Sequence, residues 1–107
     1  MSRTVTAPIT QPEDCTTMAE VRAGVDAIDQ ALVRLLARRF GYMDAAARIK
    51  PTRNAVRDEA RKAEVLANVA GLSAELSLPS KRLLAVWEAL VENSIDYELD
   101  RWDETRR

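Results

Sequence analysis

TTMAEVRAGVDAIDQALVRLLARRFGYMDAAARIK, residues 16–50, is the stretch that decides the fold. Its apolar residues recur at intervals of three and four, the spacing of one face of a packed α-helix; they are Met18, Val21, Val25, Ile28, Leu32 and Leu35. Thr16 or Thr17, followed by Glu20, is typical of an N-terminal capping box. Pro51 predicts an end at about residue 49, because the residue before a proline is pushed out of the α region. The stretch therefore predicts one helix of about 30 residues.

The composition excludes several classes of protein. The chain has 107 residues, of which 47% are apolar and 31% charged, so it can bury one core. A net charge of −1 provides no positive field for a phosphate backbone, so we do not expect nucleic-acid binding. There is no histidine and one cysteine, Cys15. One chain therefore cannot form a Ser-His or Cys-His nucleophile pair, a thiolate–imidazole zinc site or an internal disulfide.

The chain is expected to form a single helical domain. Residues 1–15, with two prolines, predict an irregular arm, and residues 16–107 the domain. No strand-like alternation, repeat or membrane-length apolar run is visible, so we expect a cytoplasmic, all-α protein that does not contact a membrane. The first helix would be ~45–50 Å long, whereas a compact monomer of this size has a radius of gyration of ~13 Å. The economical solution is an intertwined homodimer.

Two shorter helices complete the predicted fold. The first spans about residues 55–70, with Asn54 as its cap and Gly71 at its end. A second loop is predicted at residues 72–78. Pro79 is predicted in the first turn of the last helix, with its cap at or near Ser77.

Polar residues stand where the helical period requires apolar ones. Arg39 continues the spacing of the first helix, and Ser94 and Glu98 continue that of the last, whose apolar positions are Leu84, Trp87 and Val91. Because burying charge is costly unless it is paired, inward charges predict a polar cavity within a helical bundle. A buried Arg39–Glu98 ion pair, or a different helical register, would also explain the pattern.

Several cations share helix faces at spacings that suit an anion. Lys50 follows Arg39 by three turns of helix, so the two side chains can embrace one small anion. Arg22 lies ~25 Å from Arg39 along the helix and can share that anion only from the second chain of an antiparallel dimer. Arg61, predicted on the inward side of its helix beside Val65, adds another cation. Alternatively, each of these residues is a solvated surface group.

Three segments together carry a family resemblance. Residues 20–50, RDEAR at 57–61 and ENSIDYE at 92–98 resemble the active-site segments of the all-helical chorismate mutases. PEDC at 12–15, and YELDRW followed by TR near the end of the chain, resemble the isochorismate-pyruvate lyase branch. The resemblance covers about residues 13–106. It implies a three-helix intertwined homodimer that binds a small dicarboxylate, chorismate or isochorismate, without a cofactor or metal.

The resemblance also implies catalytic roles. Arg22 of one chain and Arg39 of the other would grip the two substrate carboxylates. Lys50 would contact a carboxylate and the ether oxygen, and Glu98 would face the same ether oxygen, at a position where glutamine is common. The rearrangement of chorismate to prephenate needs no nucleophile and no proton transfer. The enzyme has only to hold the substrate in its reactive conformer and to stabilise the charge that develops on the ether oxygen, which agrees with the absence of histidine.

The remaining implied contacts bear on the choice of reaction. Asp58 would lie near the substrate hydroxyl, Arg61 would line the pocket and Ser94 would contact a carboxylate. Lys62 stands at the position where the mutases commonly have a glutamate that binds the substrate hydroxyl. Because Asp58 and Ser94 resemble the mutase pattern, we expect a chorismate mutase of aromatic amino acid biosynthesis. The alternatives are an isochorismate-pyruvate lyase that forms salicylate and, from another class, a non-catalytic helical interaction module.

Overall fold

The computed structural model describes residues 8–107 and contains three long helices, which are α1 (Met18–Ile49), α2 (Glu59–Glu75) and α3 (Ser80–Glu104). Short 3-10 turns lie at Pro12–Asp14 and Arg53–Ala55, and the described part of the chain has no strand. The prediction of an all-α chain with three helices is therefore confirmed. The chain divides into two compact units, one ending at Arg39 and the other spanning Phe40–Arg107. None of the helices in residues 8–107 is long and apolar enough to cross a membrane.

A capping box begins α1, as predicted. The Glu20 amide donates to Thr17 Oγ1 at 3.2 Å, and the Thr17 amide donates to Glu20 Oε1 at 3.0 Å. The Glu20 carboxylate also accepts from the Thr16 amide and the Thr10 hydroxyl. These bonds lower the pKa of Glu20, the Thr16 amide most of all. They tie the arm to the first turn of α1. Of the arm predicted at 1–15, residues 1–7 lie outside the described residues.

Helix α2 begins later than its predicted start at residue 55. Asp58 caps it, because its Oδ1 accepts from the Arg61 amide at 2.9 Å. The prediction of Asn54 as the cap is wrong, since Asn54 Oδ1 instead accepts from the Thr52 hydroxyl at 2.8 Å, before the 3-10 turn closes. Asn54 and Asp58 are both residues that commonly cap helices, and they lie four positions apart. Asn54 lies inside the 3-10 turn Arg53–Ala55, so Asp58 caps α2.

Helix α2 also ends later than predicted. Gly71 does not stop it, because this glycine keeps a negative φ and costs only about 1 kcal/mol inside a helix. The loop predicted at residues 72–78 is therefore mostly helix. The chain reverses at Ser77, which has a φ of 58°, while the Leu78 amide donates to the Ser73 carbonyl at 2.8 Å. This Schellman-type ending usually requires glycine at the left-handed position.

Helix α3 supplies the core of the unit Phe40–Arg107. Pro79 occupies its N-cap position, so the prediction of Pro79 in the first turn, after a cap near Ser77, is wrong. The buried apolar side chains of Val56, Val91 and Ile95 form the centre of the core. Half-buried side chains pack around it; they are Val65, Trp87, Leu99 and Trp102.

The apolar face of α1 is exposed in the single chain. Its six predicted positions have exposed fractions between 38% and 61%; they are Met18, Val21, Val25, Ile28, Leu32 and Leu35. In the unit ending at Arg39, the arm and α1 enclose a groove of about 550 Å³ whose walls include Ile9, Val21, Val25 and Ile28. A stripe of this kind normally packs against another helix.

Candidate active site

The end of α1 presents a lysine to a buried carboxylate. Pro51 follows Lys50, whose amide donates to the Ala46 carbonyl at 2.9 Å and closes the last turn. The Lys50 ammonium lies 2.7 Å from Glu98 Oε2 and 3.4 Å from the Val56 carbonyl oxygen. The Lys50 side chain is 29% exposed, whereas that of Glu98 is 5% exposed. The pair thus joins the C-terminus of α1 to the inward face of α3 and opens to solvent on the lysine side.

The Lys50–Glu98 contact is ionic and poorly aligned. Although the ammonium is only 2.7 Å away, Glu98 Oε2 has no hydrogen bond of good geometry from any residue in the described range 8–107. A buried carboxylate oxygen normally accepts at least one aligned bond. Glu98 Oε2 therefore retains acceptor capacity that a donor group of a ligand can satisfy.

Ser94 lies one turn before Glu98 on the same buried face of α3. The two residues are 3% and 4% exposed, which confirms the prediction that both point inward. The Ser94 hydroxyl donates to the Leu90 carbonyl at 2.7 Å within the helix. Ser94 and Glu98 thus place two polar side chains on the buried face of α3, next to the apolar side chain of Val91.

The start of α2 carries two further predicted residues. Asp58 is the helix cap, so one of its carboxylate oxygens is already engaged by the Arg61 amide. The Arg61 side chain is 61% exposed and forms an ion pair with Glu64. The prediction that Arg61 lies on the inward side of its helix is therefore wrong for the single chain. Its guanidinium extends into solvent, where a pair of this kind contributes little to stability.

Lys62 is part of an ion-pair cluster between α2 and α3. Its ammonium lies 2.7 Å from Glu88 and 2.6 Å from Glu92, and Arg57 also binds Glu92 at 2.6 Å. These contacts raise the pKa of Lys62, through Glu88 first. Arg57, and then Lys62, lower the pKa of Glu92 to about 2. Lys62 is thus held by carboxylates of α3.

The other two predicted arginines belong to the unit that ends at Arg39. Arg22 is exposed, two residues after the capping-box glutamate. Arg39 is half-buried, seventeen residues further along α1. Both side chains therefore begin from one continuous helix, although their positions are more than four turns apart.

Sequence reasoning missed three contacts around the end of α1. Tyr97 donates to Asp44 Oδ1 at 2.7 Å; this bond, and then Arg101, lower the pKa of Asp44. Trp102 and Arg106, on the last turn of α3 and just beyond it, donate to backbone carbonyls of the α1 terminus. Their four-residue spacing is the one signal in the sequence, and it does not indicate which carbonyls they reach.

Comparison with known proteins decides the family. The sequence matches the family described as chorismate mutase type II over residues 21–99. The chain belongs to the chorismate mutase type II family. An isochorismate pyruvate lyase of Pseudomonas aeruginosa is 32% identical over 95 residues, a match that covers 89% of this chain and 94% of that protein. The chain is therefore an enzyme of the chorismate mutase fold, an isomerase or a lyase.

The family membership confirms the resemblance drawn from the three sequence segments. The residues matched by the family include Lys50, Ser94 and Glu98, because the match ends just after Glu98. In residues 8–107, no group of three or more acidic or cysteine side chains is placed to hold a metal ion.

Proposed function

We propose that this chain is a chorismate mutase that converts chorismate to prephenate. The observation that carries the proposal is the contact of the Lys50 ammonium with the buried Glu98 carboxylate, 2.7 Å apart, on the face of α3 that also buries Ser94. A protein rarely buries a carboxylate without a functional or structural reason, since desolvation of the charge is costly. Family membership supplies the functional reason.

The chemistry requires little beyond charge and shape. The substrate's ether C–O bond breaks as a new C–C bond forms within one molecule, and negative charge develops on the ether oxygen. Lys50 stabilises that charge with its ammonium, and Glu98, which lies 2.7 Å from the ammonium, faces the same oxygen. No nucleophile takes part, which agrees with a chain that has no histidine.

Two arginines bind the substrate carboxylates in this proposal. Arg39 grips one carboxylate and Arg22 of the second chain grips the other. Ser94 contacts a carboxylate by redirecting to it the hydroxyl proton that it donates to the Leu90 carbonyl in the single chain. Guanidinium groups suit this task, because they meet a carboxylate with two parallel hydrogen bonds. Asp58, at the start of α2, lies near the ring hydroxyl. Binding in this cage selects the folded conformer of the substrate before reaction.

A second copy of this chain covers the exposed face of α1 in the proposed enzyme. The six apolar side chains of that face are each about half exposed, and covering the rest contributes on the order of 1 kcal/mol per side chain. The apolar groove between the arm and α1 provides a further surface for the partner. The same packing brings Arg22 to the partner's site, so assembly and activity are coupled.

Isochorismate pyruvate lyase activity, which forms salicylate, is the second candidate. It is favoured by the lyase of Pseudomonas aeruginosa, whose match covers nearly the whole of both chains. Lys62 adds a structural reason, because it stands where a glutamate would bind the chorismate hydroxyl. Its ammonium is held by Glu88 and Glu92 and does not replace that carboxylate. Chorismate and isochorismate differ in the position of that hydroxyl. Both reactions break the same type of ether bond, so Lys50 serves either.

Product analysis of the purified protein tests the proposal. We expect chorismate to give prephenate, and we expect Lys50→Gln to lower kcat by about 10²–10³ with a much smaller change in KM. Lys81→Gln, at an exposed lysine of α3, is the matched control and should retain wild-type kinetics. Salicylate and pyruvate from isochorismate, without prephenate from chorismate, would favour the lyase. A folded protein that converts neither substrate would favour the interaction module.

A further inference from the structure

The last turn of α1 is held from outside by two side chains at the end of α3. Arg106 Nη1 donates to the Ala47 carbonyl at 2.9 Å, and its Nη2 donates to the Lys50 carbonyl at 2.8 Å. Trp102 Nε1 donates to the same Lys50 carbonyl at 3.0 Å. The backbone of the candidate catalytic lysine thus receives two hydrogen bonds from residues more than fifty positions later in the chain.

These bonds meet a specific need of a helix terminus. The last carbonyls of an α-helix have no partner within the helix, and together they carry a partial negative charge. A guanidinium satisfies both needs at once, because it is cationic and donates in several directions. Arg106 Nη2 also reaches toward the Arg48 carbonyl at 3.5 Å. One arginine therefore spans the free carbonyls of the final turn.

The clamp, defined as Trp102 and Arg106, is anchored to the core. Trp102 packs against the buried cluster of Val56, Val91 and Ile95. The Arg106 guanidinium lies 4.2 Å from the centre of the Trp102 ring, which is a cation–π contact. The ring thus holds the guanidinium in place while its own N–H holds the Lys50 carbonyl.

Lys50 lacks any helical turn after it, so its backbone depends on these contacts. Its amide is fixed by Ala46 within α1, its carbonyl is fixed by the clamp, and Pro51 prevents the helix from continuing. Loss of the clamp would free the carbonyl side of this residue. The ammonium, which is five bonds from the Cα atom, would then sample a wider volume around Glu98.

We propose that Trp102 and Arg106 are positioning residues that hold the Lys50 ammonium where negative charge develops on the substrate ether oxygen. The inference rests on the proposed function of Lys50 and deepens it. Electrostatic stabilisation depends on a group fixed before the reaction begins, and a misplacement of about 1 Å can cost on the order of 100-fold in rate. The clamp affects the reaction step more than substrate binding, because the arginines of the cage hold the carboxylates independently.

Three variants and one control test the clamp. We expect Arg106→Ala to lower kcat by about 10- to 100-fold and to change KM by less than about threefold. Arg106→Lys should fall between wild type and Arg106→Ala, because an ammonium keeps the charge but cannot span two carbonyls as the planar guanidinium does. Trp102→Phe removes one donor and keeps a ring, so a smaller loss of kcat is expected. Arg107→Ala, at the neighbouring exposed arginine, is the control.

Amide hydrogen exchange of Lys50 provides a readout that does not depend on turnover. We expect exchange to accelerate at least about tenfold in Arg106→Ala and to stay unchanged in Arg107→Ala. Equal kcat in wild type and in both Arg106 variants, or a loss confined to KM, would overturn the inference while leaving the proposed function intact. An inactive wild-type protein would instead reject the proposed function. If Arg106→Ala does not fold, Arg106→Lys and Trp102→Phe carry the same test.

Discussion

Replacement of Glu98 by glutamine tests the buried pair at the centre of the site. The substitution keeps the size of the side chain, removes its charge and gives it a permanent donor. In the proposed mechanism, a carboxylate at position 98 neutralises part of the Lys50 charge, because the two groups lie 2.7 Å apart, and repels the charge that develops on the ether oxygen. The glutamine amide does neither. We therefore expect turnover at neutral pH to rise on replacement.

The structure sets the size of this effect. Glu98 is 4% exposed, so a hydrogen bond from position 98 acts in a largely water-excluded environment, where one such donor is typically worth 10²–10³ in turnover. The released Lys50 charge is partly solvated, because its side chain is 29% exposed. We expect a gain of at least about tenfold in kcat at neutral pH and a stability loss of about 1–2 kcal/mol, below the cost of breaking a fully buried pair.

The assay is chorismate turnover at neutral pH, with unfolding by urea measured at the same protein concentration. Asp96→Asn, at an exposed carboxylate of α3, is the control and should follow wild type. A Glu98→Gln protein whose kcat equals or falls below that of wild type would refute contact between Glu98 and the reacting oxygen.

Two further predictions concern assembly and stability. Ile28→Glu, at a 61% exposed position of the α1 face, should convert the proposed dimer to inactive monomer in analytical ultracentrifugation. Gln30→Glu, on the opposite face of α1, should remain dimeric and active. A dimeric, active Ile28→Glu protein would contradict the proposed interface. Because Arg57 and Lys62 lower the pKa of Glu92 from 4.5 to about 2, their stabilisation is complete above pH 4.5 and is lost as the pH falls toward 2. Tm should fall over this interval more steeply in wild type than in Glu92→Gln, and equal slopes would show that the cluster does not stabilise the fold.

The predictable parts of the fold are those encoded by local signals. The start of α1 follows from a capping box whose two members are three residues apart, and its end follows from Pro51. The inward direction of Ser94 and Glu98 follows from helical period alone. Each of these features depends on residues within one or two turns of each other.

The rest depends on competition or on distant contacts. Asn54 and Asp58 are both good caps, and Asp58 begins α2 because Asn54 lies inside the 3-10 turn Arg53–Ala55. Ser77 adopts a left-handed conformation that normally requires glycine, so the end of α2 had no local signal. The bonds from Arg106 to the end of α1 join residues 56 to 59 positions apart, and no periodicity in the sequence encodes that approach.

The central claim is that one cage of cations, assembled from two chains, holds the substrate dicarboxylate. Subunit mixing tests it most directly, because Arg22 and Arg39 are predicted to reach the same substrate only from different chains. Arg22→Ala and Arg39→Ala homodimers should both be nearly inactive. After exchange of subunits at equal concentrations, half of the dimers are mixed and each has one intact site.

The measurement is chorismate turnover of the exchanged mixture, with the heterodimer fraction determined by native mass spectrometry. The shared-site account predicts recovery of about a quarter of the wild-type turnover per chain. Heterodimers that form in full and remain as inactive as either parent would contradict it, because each site would then require Arg22 and Arg39 from the same chain.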